Sequence, residues 1–184
     1  MNRLCILTVA AIALASAECR AQRLAVGTDA VTWLNFGTMN AEASVAVARK
    51  VTVNAAAEIN PWTFRTSRGQ MQNRQQSYRL GIRWWPWHVY SGWWIGSGAK
   101  YREYNTGGIT KPATEEGDAL GIYASGGYSL MLTRHLNMEF GIGFFGGMKR
   151  YTEFACPKCG RITGEGQGWF ILPDDITVAL VWVF

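Results

Sequence analysis

Polar and apolar positions alternate with a period of two along most of this chain. In eight segments every second residue is uncharged and mostly apolar or aromatic, and the segments cover residues 24–34, 39–47, 51–59, 78–84, 93–101, 120–130, 136–144 and 176–184. This is the period of an extended strand with two unlike faces, whereas an amphipathic helix repeats with a longer period. The pattern therefore predicts eight β-strands.

The second face of the predicted strands carries charged residues among many glycines. Four acids and four bases alternate with the apolar registers: Asp29, Glu42, Glu58, Glu139, Arg79, Arg83, Lys100 and Arg102. Small and oppositely charged side chains suit the interior of an eight-stranded barrel, where buried charges have to be paired. We expect these residues to form ion pairs in a lumen, with the apolar registers facing lipid, where a Lys or Arg at mid-depth costs about 2–4 kcal/mol.

The links between the predicted strands alternate in length. Those at 49–50, 86–91 and 133–135 are short, those at 61–74, 105–117 and 149–173 are long, and the first link, 35–38, is the exception. Outer-membrane barrels have short periplasmic turns and longer outward loops. The predicted fold is an all-β, eight-stranded antiparallel up-and-down transmembrane β-barrel.

The N-terminal residues have the features of an export signal. Arg3 precedes an apolar run from Leu4 to Ala17, and small residues follow. We expect a cleaved signal peptide over residues 1–21, with cleavage after Ala17 as the alternative, and an outer-membrane β-barrel domain over residues 22–184. A membrane anchor is disfavoured because the run is shorter than the ~20 residues that a spanning helix needs. The expected location is the outer membrane of a Gram-negative bacterium.

The C-terminal run "DDITVALVWVF" has apolar residues at every second position. Ile176, Val178, Leu180, Trp182 and Phe184 share one face. This pattern resembles the C-terminal insertion signal of bacterial outer-membrane barrels. We therefore expect the barrel-assembly machinery of the outer membrane and the lipid bilayer to be partners.

Aromatic residues are concentrated near the ends of the predicted strands. One group surrounds the fourth link (Trp84, Trp85, Trp87, Tyr90, Trp93, Trp94), and a second marks the opposite level (Trp62, Phe64, Tyr101, Tyr104, Tyr151, Trp169). Aromatic girdles lie at both membrane–water boundaries. The pattern predicts two girdles, with a core cluster or ligand platform as the alternative for the first group.

Composition favours a membrane barrel over a soluble one. Alternation alone fits a secreted, lipocalin-like barrel that buries its apolar face. However, charged residues make up 17% of the chain, against about 25% in an average soluble domain. The polar face is also rich in Gly, Ser and Ala, which makes a poor solvent surface. The net charge of +5 is spread along the chain, so no nucleic-acid partner is expected.

One motif, "ACPKCG" at 155–160, invites a chemical interpretation. Cys156 and Cys159 are candidates for a disulfide that holds a long loop, with reactive thiols or a metal shared between chains as alternatives. The only histidines, His88 and His135, lie in predicted turns on the opposite side. The sequence therefore predicts no catalytic residues, no metal site and no cofactor, and hence no enzyme.

Four stretches together resemble an uncharacterised family: "NPWTF" (60–64), "GDALGIYASGGYSLMLTRHLNMEFGIGFFGG" (117–147), "FACPKCG" (154–160) and "LVWVF" (180–184). Its members are exported proteins of Gram-negative gut and oral bacteria, regarded as small outer-membrane-type barrels and often encoded near fimbrial genes. The resemblance implies a role in building or anchoring surface appendages, and supplies no catalytic residues.

These observations predict a non-enzymatic outer-membrane barrel whose outward loops meet a partner. The partner would be a fimbrial or other surface protein, and the role surface-structure assembly or envelope integrity. The alternatives are a soluble periplasmic or secreted barrel that binds an apolar ligand, and a narrow solute pore. The pore ranks lower because eight strands leave a largely filled interior.

Overall fold

The computed structural model describes residues 24–66, 69–108, 113–156 and 160–184. These form β1 (Leu24–Asp29), α1 (Ala30–Leu34), β2 (Met39–Ala48), β3 (Val51–Asn60), β4 (Thr63–Thr66), β5 (Gly69–Trp84), β6 (Gly92–Gly107), β7 (Thr114–Met131), β8 (Leu136–Phe154) and β9 (Ile162–Val183). The predicted signal peptide, residues 1–21, lies outside the described residues.

Eight of the strands close into an antiparallel ring. The order is β1–β2–β3–β5–β6–β7–β8–β9, and β9 pairs with β1 to complete the circle. The short strand β4 is an addition that pairs with the first residues of β5. The predicted all-β antiparallel architecture is therefore confirmed. We call the end with the β2–β3, β5–β6 and β7–β8 links the turn end, and the opposite end the mouth.

Apolar side chains cover the outside of the ring and charged side chains lie inside it. Ile122, Ile142 and Ile176 are 68%, 67% and 63% exposed, whereas Lys100 and Glu139 are each 1% exposed. Because side chains alternate across a strand, each apolar register faces outward and each polar register inward. The apolar registers therefore form the outer surface of the ring, and the polar registers form its inner surface.

The first predicted strand was too long. The alternation continues to Leu34, but β1 ends at Asp29 and the chain turns into α1. Asp29 accepts hydrogen bonds from the backbone N–H groups of Val31 and Thr32, as an N-cap does. Within the described ranges, no helix has the length and apolar character needed to cross a membrane.

The three links predicted to be long loops are largely strand. β5 begins at Gly69, β6 runs on to Gly107, and β8 and β9 extend to Phe154 and back from Ile162. Most of these extensions carry polar residues on both faces, so the alternation that marks the lower parts of the strands is missing there. The exception is β9, where Trp169 and Ile171 are 81% and 75% exposed and belong to the apolar outer surface. The sheet therefore continues past its apolar belt toward the mouth.

Candidate functional site

An aromatic plug fills the turn end of the ring. Trp85 is fully buried and packs against Tyr90 and Trp94, with ring centroids 5.8 and 6.4 Å away. The Trp85 indole N–H donates to the Thr52 hydroxyl at 3.1 Å. Ala25, Val181 and Val183 join the same cluster. Three of the residues predicted to form a girdle therefore lie inside, while Trp84, Trp87 and Trp93 face outward.

The β5–β6 link is held in place by its backbone. Tyr90 has a positive φ of 63°, which is uncommon for a non-glycine residue and needs support from its surroundings. Its carbonyl accepts hydrogen bonds from the Asn137 amide at 2.6 Å and the Ser129 hydroxyl at 3.2 Å. These bonds fix the link against β7 and β8, and so keep the plug inside the ring.

A layer of ion pairs lies above the plug. Arg83 contacts Glu42 at 2.7 Å and Glu139 at 3.1 Å, and Arg79 contacts Glu42 at 3.0 Å. The guanidinium of Arg83 also lies over the Trp94 ring, 4.3 Å from its centroid. The structure thus brings together four of the eight predicted lumen residues, and charge pairing compensates their burial.

A second charged layer depends on Asp174, which the sequence analysis did not single out. Its two carboxylate oxygens accept from Lys100 and Arg102, two predicted lumen residues. Gly143 pairs with Asp175 and Phe144 with Pro173, so Asp174 is the extra residue of a β-bulge. The bulge breaks the period-two register. The feature of the sequence that could have revealed it is the acidic pair that directly precedes the apolar run 176–184.

The two remaining predicted lumen residues have other roles. Glu58 accepts a hydrogen bond from the Ser77 hydroxyl at 2.9 Å. Asp29 accepts from the Val178 backbone N–H at 2.9 Å in addition to capping α1. Both line a small cavity of about 140 Å³, together with Glu42, Arg79 and Asp174.

The "NPWTF" stretch fastens the α1–β2 link. Asn60 is buried and donates to the Thr38 hydroxyl at 2.9 Å. The Trp62 indole N–H donates to the Gly37 carbonyl at 3.1 Å, and Phe64 packs on Phe36. The motif therefore has a structural role at the mouth end of the ring.

A larger cavity of about 960 Å³ lies at the mouth. It extends from the end of β3 to the upper part of β9. The residues around it include Tyr104, Tyr151 and Gln75 on inward registers, and Tyr101, Asn105 and Gln167 on outward registers. Its volume is in the range of ligand-binding clefts.

A hydrogen-bonded group supports the inner wall of the mouth. The Glu115 carboxylate accepts from the Tyr104 hydroxyl at 2.6 Å and from the Lys149 ammonium at 3.0 Å. Burial acts to raise the pKa of Glu115, but the hydrogen bonds from Tyr104 and Lys149 outweigh it and hold this pKa below its ordinary value. Burial and the bond to Glu115 raise the pKa of Tyr104.

The remaining predicted site residues are placed as follows. Ile176, Val178, Leu180, Trp182 and Phe184 lie on the outward face of β9 or directly after it. Cys156 follows β8, whereas Cys159 lies outside the described residues, so their disulfide stays a prediction. His88 and His135 are both at the turn end. In the described part of the chain, no three His, Cys, Asp or Glu residues are grouped as a metal site would require.

The structure defines a class of protein. It is a small all-β ring with apolar side chains outside, ion-paired side chains inside and aromatic side chains that fill the turn end. The chain belongs to the family described as "Protein of unknown function (DUF3575)", whose model matches residues 5–184. No curated protein and no solved structure shows significant similarity to it.

Proposed function

We propose that this protein is an eight-stranded β-barrel of a Gram-negative outer membrane, exported by a cleaved signal peptide and inserted by the barrel-assembly machinery. It has no enzymatic activity. Its mouth faces outward and holds a partner, a component of a fimbria or another surface structure. The observation that carries this proposal is the polarity of the ring, apolar outside and ion-paired inside.

The height of the apolar surface supports membrane insertion. Outward apolar positions run from Trp93 to Tyr101 on β6 and from Leu120 to Leu130 on β7. At about 3.4 Å per residue and a strand tilt of about 40°, these runs rise roughly 21 and 26 Å. The apolar band of outer-membrane barrels is about 25 Å tall. We call this band the belt.

The same polarity argues against the soluble alternative. A soluble barrel of this topology would expose its polar face, and residues such as Ile122 and Ile142 would then be buried. An apolar ligand would also meet charged side chains inside, because Arg83, Glu139 and Lys100 occupy the interior. The proposal therefore places lipid, and not water, around the belt.

The plug argues against the pore alternative. A conducting lumen needs a continuous aqueous path, and Trp85, Tyr90 and Trp94 pack together at the turn end. The ion-paired layer above them narrows the interior further. The mouth cavity is therefore proposed as a docking surface and not as the entrance to a channel.

Membrane fractionation with a heat-modifiability gel tests the location. We expect the full-length protein, expressed in a Gram-negative host, in the outer-membrane fraction, with a faster gel mobility before boiling than after. A cysteine placed at Thr152, near the mouth, should react with an impermeant maleimide on intact cells, whereas one placed at Lys50, in the β2–β3 turn, should not. Recovery in the soluble periplasmic fraction would refute the proposal.

A further inference from the structure

The charged side chains of the turn-end links are all cationic. The three links contain no Asp or Glu, and all of their residues are described: 49–50, 85–91 and 132–135. Arg49 and Lys50 form the β2–β3 link, and Arg134 lies in the β7–β8 link. All three residues are exposed. The links therefore give this end of the ring a net positive charge.

The nearest acids are turned away from these links. Glu42 and Glu139, which are the acids closest to Arg49 and Arg134 in the sequence, face inward and contact Arg83. At the mouth, by contrast, both signs occur together on the outer face, and Asp118 of β7 stands directly opposite Arg150 of β8. The surface charge is thus mixed at the mouth and positive at the turn end.

The cationic β2–β3 link lies beside an outward tryptophan of β5. The Lys50 carbonyl accepts a hydrogen bond from the Trp85 backbone N–H at 2.9 Å, which fastens the link to the end of β5. Val51, the next residue, pairs with Trp84, whose side chain is on the outer face and is 47% exposed. The fold therefore holds two cations next to an exposed indole.

The β7–β8 link has the same arrangement. His135, which follows Arg134, stacks on Trp182 with ring centroids 6.1 Å apart, and its carbonyl accepts from the Val183 N–H at 2.8 Å. Trp182 is 48% exposed on the outer face. In the strand order of the ring, the β2–β3 and β7–β8 links lie on opposite sides. Two sites that combine a cation with an indole therefore face the surroundings in opposite directions.

This combination matches the chemistry of a phospholipid head group. Outward indoles lie at the boundary between the acyl chains and the polar layer of a bilayer, so cations one step beyond them reach the level of the phosphates. Lys and Arg near a lipid surface are attracted to anionic head groups, and Arg can bind a phosphate with two hydrogen bonds. The absence of acidic side chains from these links favours a lipid with net negative charge over a zwitterionic one, whose amine offsets its phosphate.

We propose that the turn end binds the head groups of anionic phospholipids, through Arg49 and Lys50 on one side of the ring and Arg134 on the other. Trp84 and Trp182 contact the acyl-bearing part of these lipids, and the cations contact the phosphates. This inference rests on the proposed function, because it identifies the lipid that borders the lower edge of the belt.

Native mass spectrometry of the full-length protein, refolded in a neutral detergent, tests the inference with phosphatidylglycerol and phosphatidylcholine as probes. We expect the wild type to bind phosphatidylglycerol at least about fivefold more tightly than phosphatidylcholine. The triple substitution Arg49→Gln, Lys50→Gln and Arg134→Gln should reduce this preference to less than about twofold. A heat-modifiability gel checks that the variant is folded.

The matched control removes the same number of cations from the mouth. Arg74→Gln, Arg150→Gln and Arg161→Gln together change exposed residues above the belt and lower the net charge of the protein equally. This variant should keep the wild-type preference within about twofold. A loss of preference equal to that of the turn-end variant would show that only the net charge matters, and would overturn the inference.

The melting of the folded gel band gives a second readout that needs no variant. Phosphatidylglycerol should raise the temperature at which the wild-type folded band is lost by more than phosphatidylcholine does, and about 1 M NaCl should reduce the difference. Equal effects of the two lipids would overturn the inference and would favour an acidic protein as the occupant of the turn end. Outer-membrane recovery without a lipid preference would refute this inference and leave the proposed function standing, whereas recovery in the soluble fraction would refute the proposed function.

Discussion

Asp174 holds two buried cations with one side chain. Lys100 and Arg102 each contact one of its carboxylate oxygens, and the β-bulge aims the carboxylate into the ring. Removal of one partner from a buried charge group is costly because the other charges stay buried without compensation. Asp174 is therefore expected to contribute strongly to the stability of the upper interior.

Asp174→Asn is expected to destabilise the protein by about 3–5 kcal/mol. The free energy of unfolding is measured by urea titration of the protein folded into lipid vesicles, with gel mobility as the readout. Glu165→Gln on the same strand is the control, because Glu165 is exposed and its change should stay within about 0.5 kcal/mol. Equal effects of the two substitutions would contradict the role given to the bulge.

Glu115 makes the wall of the mouth sensitive to acid. Its pKa in the folded protein is below the ordinary value, so the stabilisation is fully present above the unfolded-state pKa and is lost as the pH falls through the lowered one. We expect amide exchange near Tyr104 and Lys149 to accelerate relative to the belt below about pH 4. Glu115→Gln should remove this pH dependence, and a wild-type profile that stays flat would contradict it.

At the scale of elements, two side chains complete the sheet where β1 stops. The Asn40 side chain accepts from the Asp29 backbone N–H at 2.6 Å and donates to the Asp29 carbonyl at 2.9 Å, as a neighbouring strand would. The Asp29 carboxylate accepts from the Val178 N–H and from the first turn of α1. The junction of β1, β2, β9 and α1 is thus held by one Asp and one Asn.

Asp29→Ala should therefore loosen this junction. We expect a loss of about 1–2 kcal/mol in the free energy of unfolding, the usual cost of removing a helix N-cap, and faster proteolysis within α1. Asp29→Asn should lose less, because its carboxamide oxygen still accepts a hydrogen bond. A proteolysis rate at α1 that is the same in all three proteins would show that Asp29 does not hold the helix.

The elements that alternation identified are those that lie in the belt. There the outer face has to stay apolar, so the registers 78–84, 93–101, 120–130 and 136–144 are visible in the sequence and reappear as strands. Above the belt both faces are polar, so the upper parts of β5 to β9 carry no such signal. α1 was missed because Ala30, Thr32 and Leu34 continue the alternation, although the Asp29 side chain ends the strand.

The same limits apply to the interior. Glu42, Glu139, Arg79 and Arg83 could be assigned to the lumen because they alternate with apolar residues on regular strands. Asp174 could not, because a bulge shifts it out of register. Trp85 and Trp94 stand directly beside the outward Trp84 and Trp93 in the sequence. Only the register of the strand decides which residue of each pair faces inward.

At the scale of the whole molecule, the belt and the rim above it respond differently to the same substitution. Ile142→Arg puts a charge at the middle of the belt and should cost about 2–4 kcal/mol. Thr152→Arg, on the same face of β8 but above the belt, should cost less than about 0.5 kcal/mol. Unfolding from lipid vesicles compares the two, and similar costs would mean that lipid does not surround the belt.

In the proposed membrane orientation, the length of the strands beyond the belt sets how far the rim stands from the bilayer. On β8 the apolar face ends at Met148 and the strand continues to Phe154, which lifts its tip by roughly 16 Å at a rise of about 3.4 Å per residue and a tilt of about 40°. The rim is therefore raised above the belt, so a large partner can reach it without touching lipid head groups. Deleting two residues from each of two paired strands would keep every side chain on its present face. It would also lower the rim by a fixed step, so the height of the rim above the belt can be varied.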